Sequence, residues 1–129
     1  MLVVGAPTHA FSLSRASTRK SAADQATGEL VSRGRGVREW LDALAPVDLT
    51  VSAIVFDTRV KVGWVPGSAA KAITRRLRRL RFTVGRAPVS FYVGSTPGPL
   101  LDGETDRATA WARTIRTTSV LRLKFVDEL

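Results

Sequence analysis

Cysteine is absent from this chain of 129 residues. That excludes a disulfide framework, a thiolate metal site and a cysteine nucleophile. Histidine occurs once, at His9. No second catalytic group stands at a recognisable spacing from it, and Ser14 and Ser17 form no legible triad with it, which argues against a hydrolase. No run of about 18 apolar residues exists, so no membrane-spanning helix is expected. The apolar N-terminus lacks a basic leader and is interrupted by Pro7 and Ser12. It makes a poor signal peptide, and a cytoplasmic protein is expected. No internal repeat or low-complexity tract is visible. Acidic residues are scarce: eleven Asp and Glu against twenty Lys and Arg leave a net charge of +9. Such a balance favours polyanions or acidic partners, and an arginine-rich proteome produces the same balance.

What is present is the composition of a globular domain. The hydrophobic fraction is 44%, and the length suits one domain with a real core. Residues 2–5, Leu-Val-Val-Gly, form an apolar run closed by Gly5 and Pro7, the pattern of a central strand in a parallel sheet. No strand precedes it in the sequence given, so an unpaired edge is expected. Thr18 caps a helix over 18–28 that Gly28 stops. A second helix spans 37–44, with Val37, Trp40, Leu41 and Leu44 on one buried stripe. Residues 49–56 read as a second strand, and Asp57-Thr58-Arg59 stands where that strand stops. The clearest helix runs over 69–80, with Ser68 as its N-cap. Ala70, Ile73, Leu77 and Leu80 form its buried stripe. A third strand over 82–93 is kinked at Pro88. A last helix covers 104–116 with Ala108, Trp111, Ala112 and Ile115 as its apolar positions. Residues 117–129 form a C-terminal tail, readable as a short strand, a docked arm or a disordered end. Strands alternating with helices specify an α/β fold with a parallel sheet.

Several blocks then share one likeness. They are Val3-Val4-Gly5-Ala6-Pro7-Thr8-His9-Ala10-Phe11, Ser17-Thr18-Arg19, Phe56-Asp57-Thr58-Arg59, Gly67-Ser68-Ala69-Ala70, Ser90-Phe91-Tyr92-Val93 and Gly98-Pro99-Leu100-Leu101-Asp102-Gly103-Glu104. Their order and spacing over residues 2–116 resemble the C-terminal part of actinobacterial flavodoxin-like proteins. The resemblance implies a flavodoxin-like three-layer sandwich with strand order 2-1-3-4-5. Of these strands the chain carries the third, fourth and fifth, so an N-terminally truncated domain over 1–116 is expected. It implies electron transfer through FMN rather than enzyme catalysis, with a redox protein as partner. The positions implied to hold the flavin ring are Pro7, Thr8, His9, Ala10 and Phe11 after the first strand and Asp57, Thr58 and Arg59 after the second. Trp64 offers a stacking face nearby. The family holds the FMN phosphate in a loop after its own first strand, at a helix N-terminus. The sequence given has no counterpart of that loop, so FMN binding is expected to be weakened.

Plainer roles stand beside these. His9 as a loop-shaping residue and Asp57 as a turn cap need no ligand. Arg75, Arg76, Arg78, Arg79 and Arg81 suit a solvated helix face better than a nucleic-acid grip, because no aromatics interleave with them. Trp40 and Trp111 fit buried stripes. Two alternatives to electron transfer follow: an interaction module that pairs through the edge of its opening strand, and a basic nucleic-acid binder.

Overall fold

The computed structural model describes residues 1–9, 12–25, 35–61, 63 and 67–127. Among them the order is β1 (Leu2–Pro7), α1 (Ala16–Gln25), α2 (Val37–Ala43), β2 (Ala53–Val60), α3 (Ala69–Arg79), β3 (Val89–Val93) and α4 (Glu104–Asp127). The strands make one all-parallel sheet, β1-β2-β3. The chain is therefore α/β, in an arrangement compatible with a flavodoxin-like sandwich, and its strands are neighbours in sequence order.

Side chains alternate across a strand, and register partners share a face. Leu2, Val4 and Ala6 of β1 sit opposite Ala53, Val55 and Asp57 of β2 and face the same way. α3 covers this face with Ala69, Ala70, Ile73 and Leu77, and Leu41 of α2 and Leu13, which precedes α1, close the core. Val55, Ile73 and Leu77 are fully buried, each contributing about 1.5–3 kcal/mol by leaving water. Ser68 caps α3, its Oγ accepting from Lys71 N–H at 3.1 Å. Gly67 turns into that cap with φ of 91°, which glycine adopts without strain. Lys71, Arg75, Arg78 and Arg79 lie exposed on the other side of the helix.

α4 lies against the second face. Trp111 meets Phe56 and Phe91 edge-on at centroid distances of 5.5 and 5.7 Å, and the two Phe rings stand 6.0 Å apart. The Phe56 ring lies over Gly5, its register partner. A Cβ at that position would overlap the ring, so glycine is required there.

The two outer edges of the sheet differ. Along β3, Tyr92 N–H donates to Glu104 Oε2 at 2.7 Å, and Leu101 N–H donates to the Tyr92 carbonyl at 2.9 Å. Gly94 N–H reaches the Pro99 carbonyl at 3.0 Å, and Arg107 donates to the Ser90 carbonyl. That edge is sealed. Along β1, Leu2 and Thr8 send their N–H groups to Ser52 and Thr58 of the β2 side, each at 2.8 Å. Alternation then directs the N–H and C=O groups of Val3 and Gly5 outward, and Pro7 has no N–H to offer. Val3 is 45% exposed and Met1 64% exposed at this edge.

Several expectations need correction. β2 starts at Ala53 and runs on to Val60, so Asp57, Thr58 and Arg59 lie within the strand. Asp is disfavoured in strands, which set the expected end too early. Only β3 from Val89 is regular strand. Thr83 forms a single parallel bridge with Ser52, and Pro88 separates the two pieces. Trp40 is 40% exposed. Val37, Leu41 and Leu44 already form the inward stripe at spacings of four and three, which leaves Trp40 on its flank. α4 continues past 116 to Asp127, through much of the expected tail. α1 begins at Ala16 rather than Thr18 and is described to Gln25; the expected stretch 26–28 lies outside the described residues.

Candidate functional site

The C-terminal ends of β1 and β2 meet the first turn of α3. Thr8 extends the pairing of β1 by one residue, its N–H bonded to the Thr58 carbonyl. Its hydroxyl donates to Asp57 Oδ2 at 3.0 Å and accepts from Ala69 N–H at 3.0 Å. Asp57 Oδ2 also accepts from Ala70 N–H at 2.9 Å. With Ser68 on Lys71, three successive N–H groups of the opening turn of α3 have side-chain acceptors. A carboxylate suits this position because the helix N-terminus carries partial positive charge. Asp57 is 0% exposed, and its Oδ1 has no partner among the described residues. The trio ties two strands and a helix together. It also occupies the helix end at which an outside anion would otherwise sit.

The other expected positions separate by face. Arg59 lies on the Asp57 side of the sheet. Pro7 and Thr58 are register partners on the α4 side. His9 and Ser12 exchange two backbone hydrogen bonds, 2.7 Å from His9 N–H and 3.0 Å from Ser12 N–H. Burial of His9 pushes its imidazole below the ordinary value of 6.5, and the Arg19 charge pushes it the same way. A hydrogen bond with the Thr18 backbone opposes them. The imidazole is therefore neutral at neutral pH. Ala10, Phe11 and Trp64 lie outside the described residues.

Residues not singled out from the sequence complete the rim. Tyr92 is the register partner of Arg59. Its ring centroid is 5.7 Å from Arg59 Cζ, 5.8 Å from Lys61 Nζ and 5.7 Å from Arg107 Cζ. Arg59 also donates to the Gly67 carbonyl at 3.3 Å. Arg107 grips Glu104 in two-pronged fashion, at 2.9 Å to Oε1 and 2.6 Å to Oε2. That bond, with the Tyr92 N–H, holds the Glu104 carboxyl down at about 2. The three-residue spacing of Glu104 and Arg107 was a visible signal of an ion pair on one helix face. The gathering of Lys61 and Arg59 around Tyr92 was not visible, because it depends on strand register.

Among the described residues no group of three or more His, Asp or Glu could hold a metal ion. None of their helices is long and apolar enough to cross a membrane. Comparison with protein-family models, with curated proteins and with solved structures finds no match.

Proposed function

We propose that this chain is a cytoplasmic flavodoxin-like domain whose loops after β1 and β2 hold the ring of FMN for electron transfer to a protein partner. The observation that carries this reading is the Thr8–Asp57 hydrogen bond. It ties the end of β1 to Asp57 of β2 towards the C-terminal end of a parallel sheet, where α/β folds bind ligands. The donor set supports the fit. A neutral His9 offers uncharged ring nitrogens, and Arg59 supplies a fixed positive charge beside the flat Tyr92 ring. FMN, when bound, supplies the electron chemistry. The protein's part is positioning: Thr8 and Asp57 fix the spacing of β1, β2 and α3 beneath the site, and the buried Asp57 keeps α3 from competing for the phosphate.

Titration with riboflavin and FMN tests this. Saturable quenching of flavin fluorescence is the expected result. No quenching by the folded protein would overturn the reading. The edge of β1, open among the described residues, favours a second reading, a module that pairs with another strand through Val3 and Gly5. Size-exclusion chromatography over a wide concentration range decides it, since a monomer throughout would exclude such pairing.

A further inference from the structure

We propose that Arg59, Lys61 and Tyr92 form a phosphate-binding site, an inference that rests on the flavin reading only for what the phosphate is attached to. β2 delivers Arg59 to the rim, and β3 delivers Tyr92 directly opposite it. Lys61 follows at the end of β2, its N–H bonded to the Val93 carbonyl. Three cations thus surround one aromatic ring, each within 5.8 Å of its centre. One of them, Arg107, is neutralised by Glu104.

Arg59 has no carboxylate partner among the described residues, and Lys61 feels only the Glu104 carboxylate that Arg107 already grips. The stretch between Lys61 and Gly67 is Val62-Gly63-Trp64-Val65-Pro66 and contains no acid. The aromatic face offsets part of the mutual repulsion, but it brings no negative charge. A phosphate dianion brings two. The guanidinium presents a planar fork to its oxygens, the ammonium a compact charge and the phenol one further donor.

The nearest alternative anion site is closed, because the first-turn N–H groups of α3 are bonded to Thr8, Asp57 and Ser68. A phosphate arriving at this rim therefore meets side chains, not a helix end.

Tyr92 is the sole tyrosine, so its ring reports on the site alone. The full chain labelled with ring-13C tyrosine is titrated with inorganic phosphate, with sodium chloride at matched ionic strength as control. A saturable shift of the single tyrosine resonance, seen with phosphate and not chloride, is expected. In Arg59→Gln/Lys61→Gln the affinity falls by about tenfold or more, with circular dichroism unchanged. Lys61→Gln alone, at an exposed position, weakens it in the same direction. No saturable shift, or a shift of equal affinity in these variants, overturns the site. A parallel titration separates the two readings. FMN binding tighter than riboflavin, with the advantage lost in the double variant, supports the site. A phosphate response without any riboflavin binding refutes the flavin reading and leaves the site standing.

Discussion

Asp57 and Arg59 stand two positions apart on the same face of one strand, yet their charges are handled in opposite ways. Asp57 is buried, and its charge is met from within by a hydroxyl and a helix N–H. Arg59 lies at the rim, bonded to one carbonyl and stacked near one ring, and no described carboxylate faces it. The difference follows from depth. A charge taken out of water must be compensated by the fold itself, whereas a charge at the rim keeps its hydration and remains available. Of two charged residues in one motif, the buried one builds the scaffold and the half-buried one is free to contact a ligand.

The sharpest way to break this contrast is at the buried end. Asp57→Ala leaves the Thr8 hydroxyl and the Ala70 N–H without their acceptor and lowers the unfolding free energy by about 3 kcal/mol, read from urea melts. Thr8→Val removes one donor and one acceptor from the same trio and lowers it by about 1–2 kcal/mol. Because the two residues share a bond, the double variant loses less than the sum. A strictly additive pair would mean the trio does not act as a unit.

Glu104 sharpens the contrast through pH. Its carboxyl is held at about 2 in the folded protein, below the ordinary 4.5. The folded state therefore binds that proton less readily than the unfolded state. The stabilisation is present in full above 4.5 and fades as pH falls towards 2. Glu104→Gln lowers the melting temperature at neutral pH and narrows its gap from the parent across that acid window. A gap constant with pH would show that the carboxylate charge is not what secures the β3 edge.

The smallest effect belongs to the rim. Arg59→Gln/Lys61→Gln changes stability by no more than about 0.5 kcal/mol and slightly raises it at low salt, where like charges repel most. A loss as large as that of Asp57→Ala would place Arg59 in the scaffold and end the distinction.

The fold was legible where one local pattern governed it. The apolar stripe and Ser68 cap of α3 located that helix to within a residue of its observed span, Ala69–Arg79. β2 was displaced because Asp57 and Arg59 look like loop residues until the α3 amide and Tyr92 are placed beside them. The Thr8–Asp57 bond spans 49 positions and was out of reach, although both residues were singled out. Membership of a site can be read from residue types, but contact across a sheet depends on register, which local sequence does not state.

The sheet's unequal edges limit what the molecule can build. Growth of a filament by strand addition needs two open sides on every unit, one to receive and one to offer. Here the Glu104–Arg107 flank closes one side, and Pro7 shortens the other to Val3 and Gly5. Two copies that met along β1 would each present only a closed side outward. With the edges as the described residues form them, strand addition through β1 would stop at a pair.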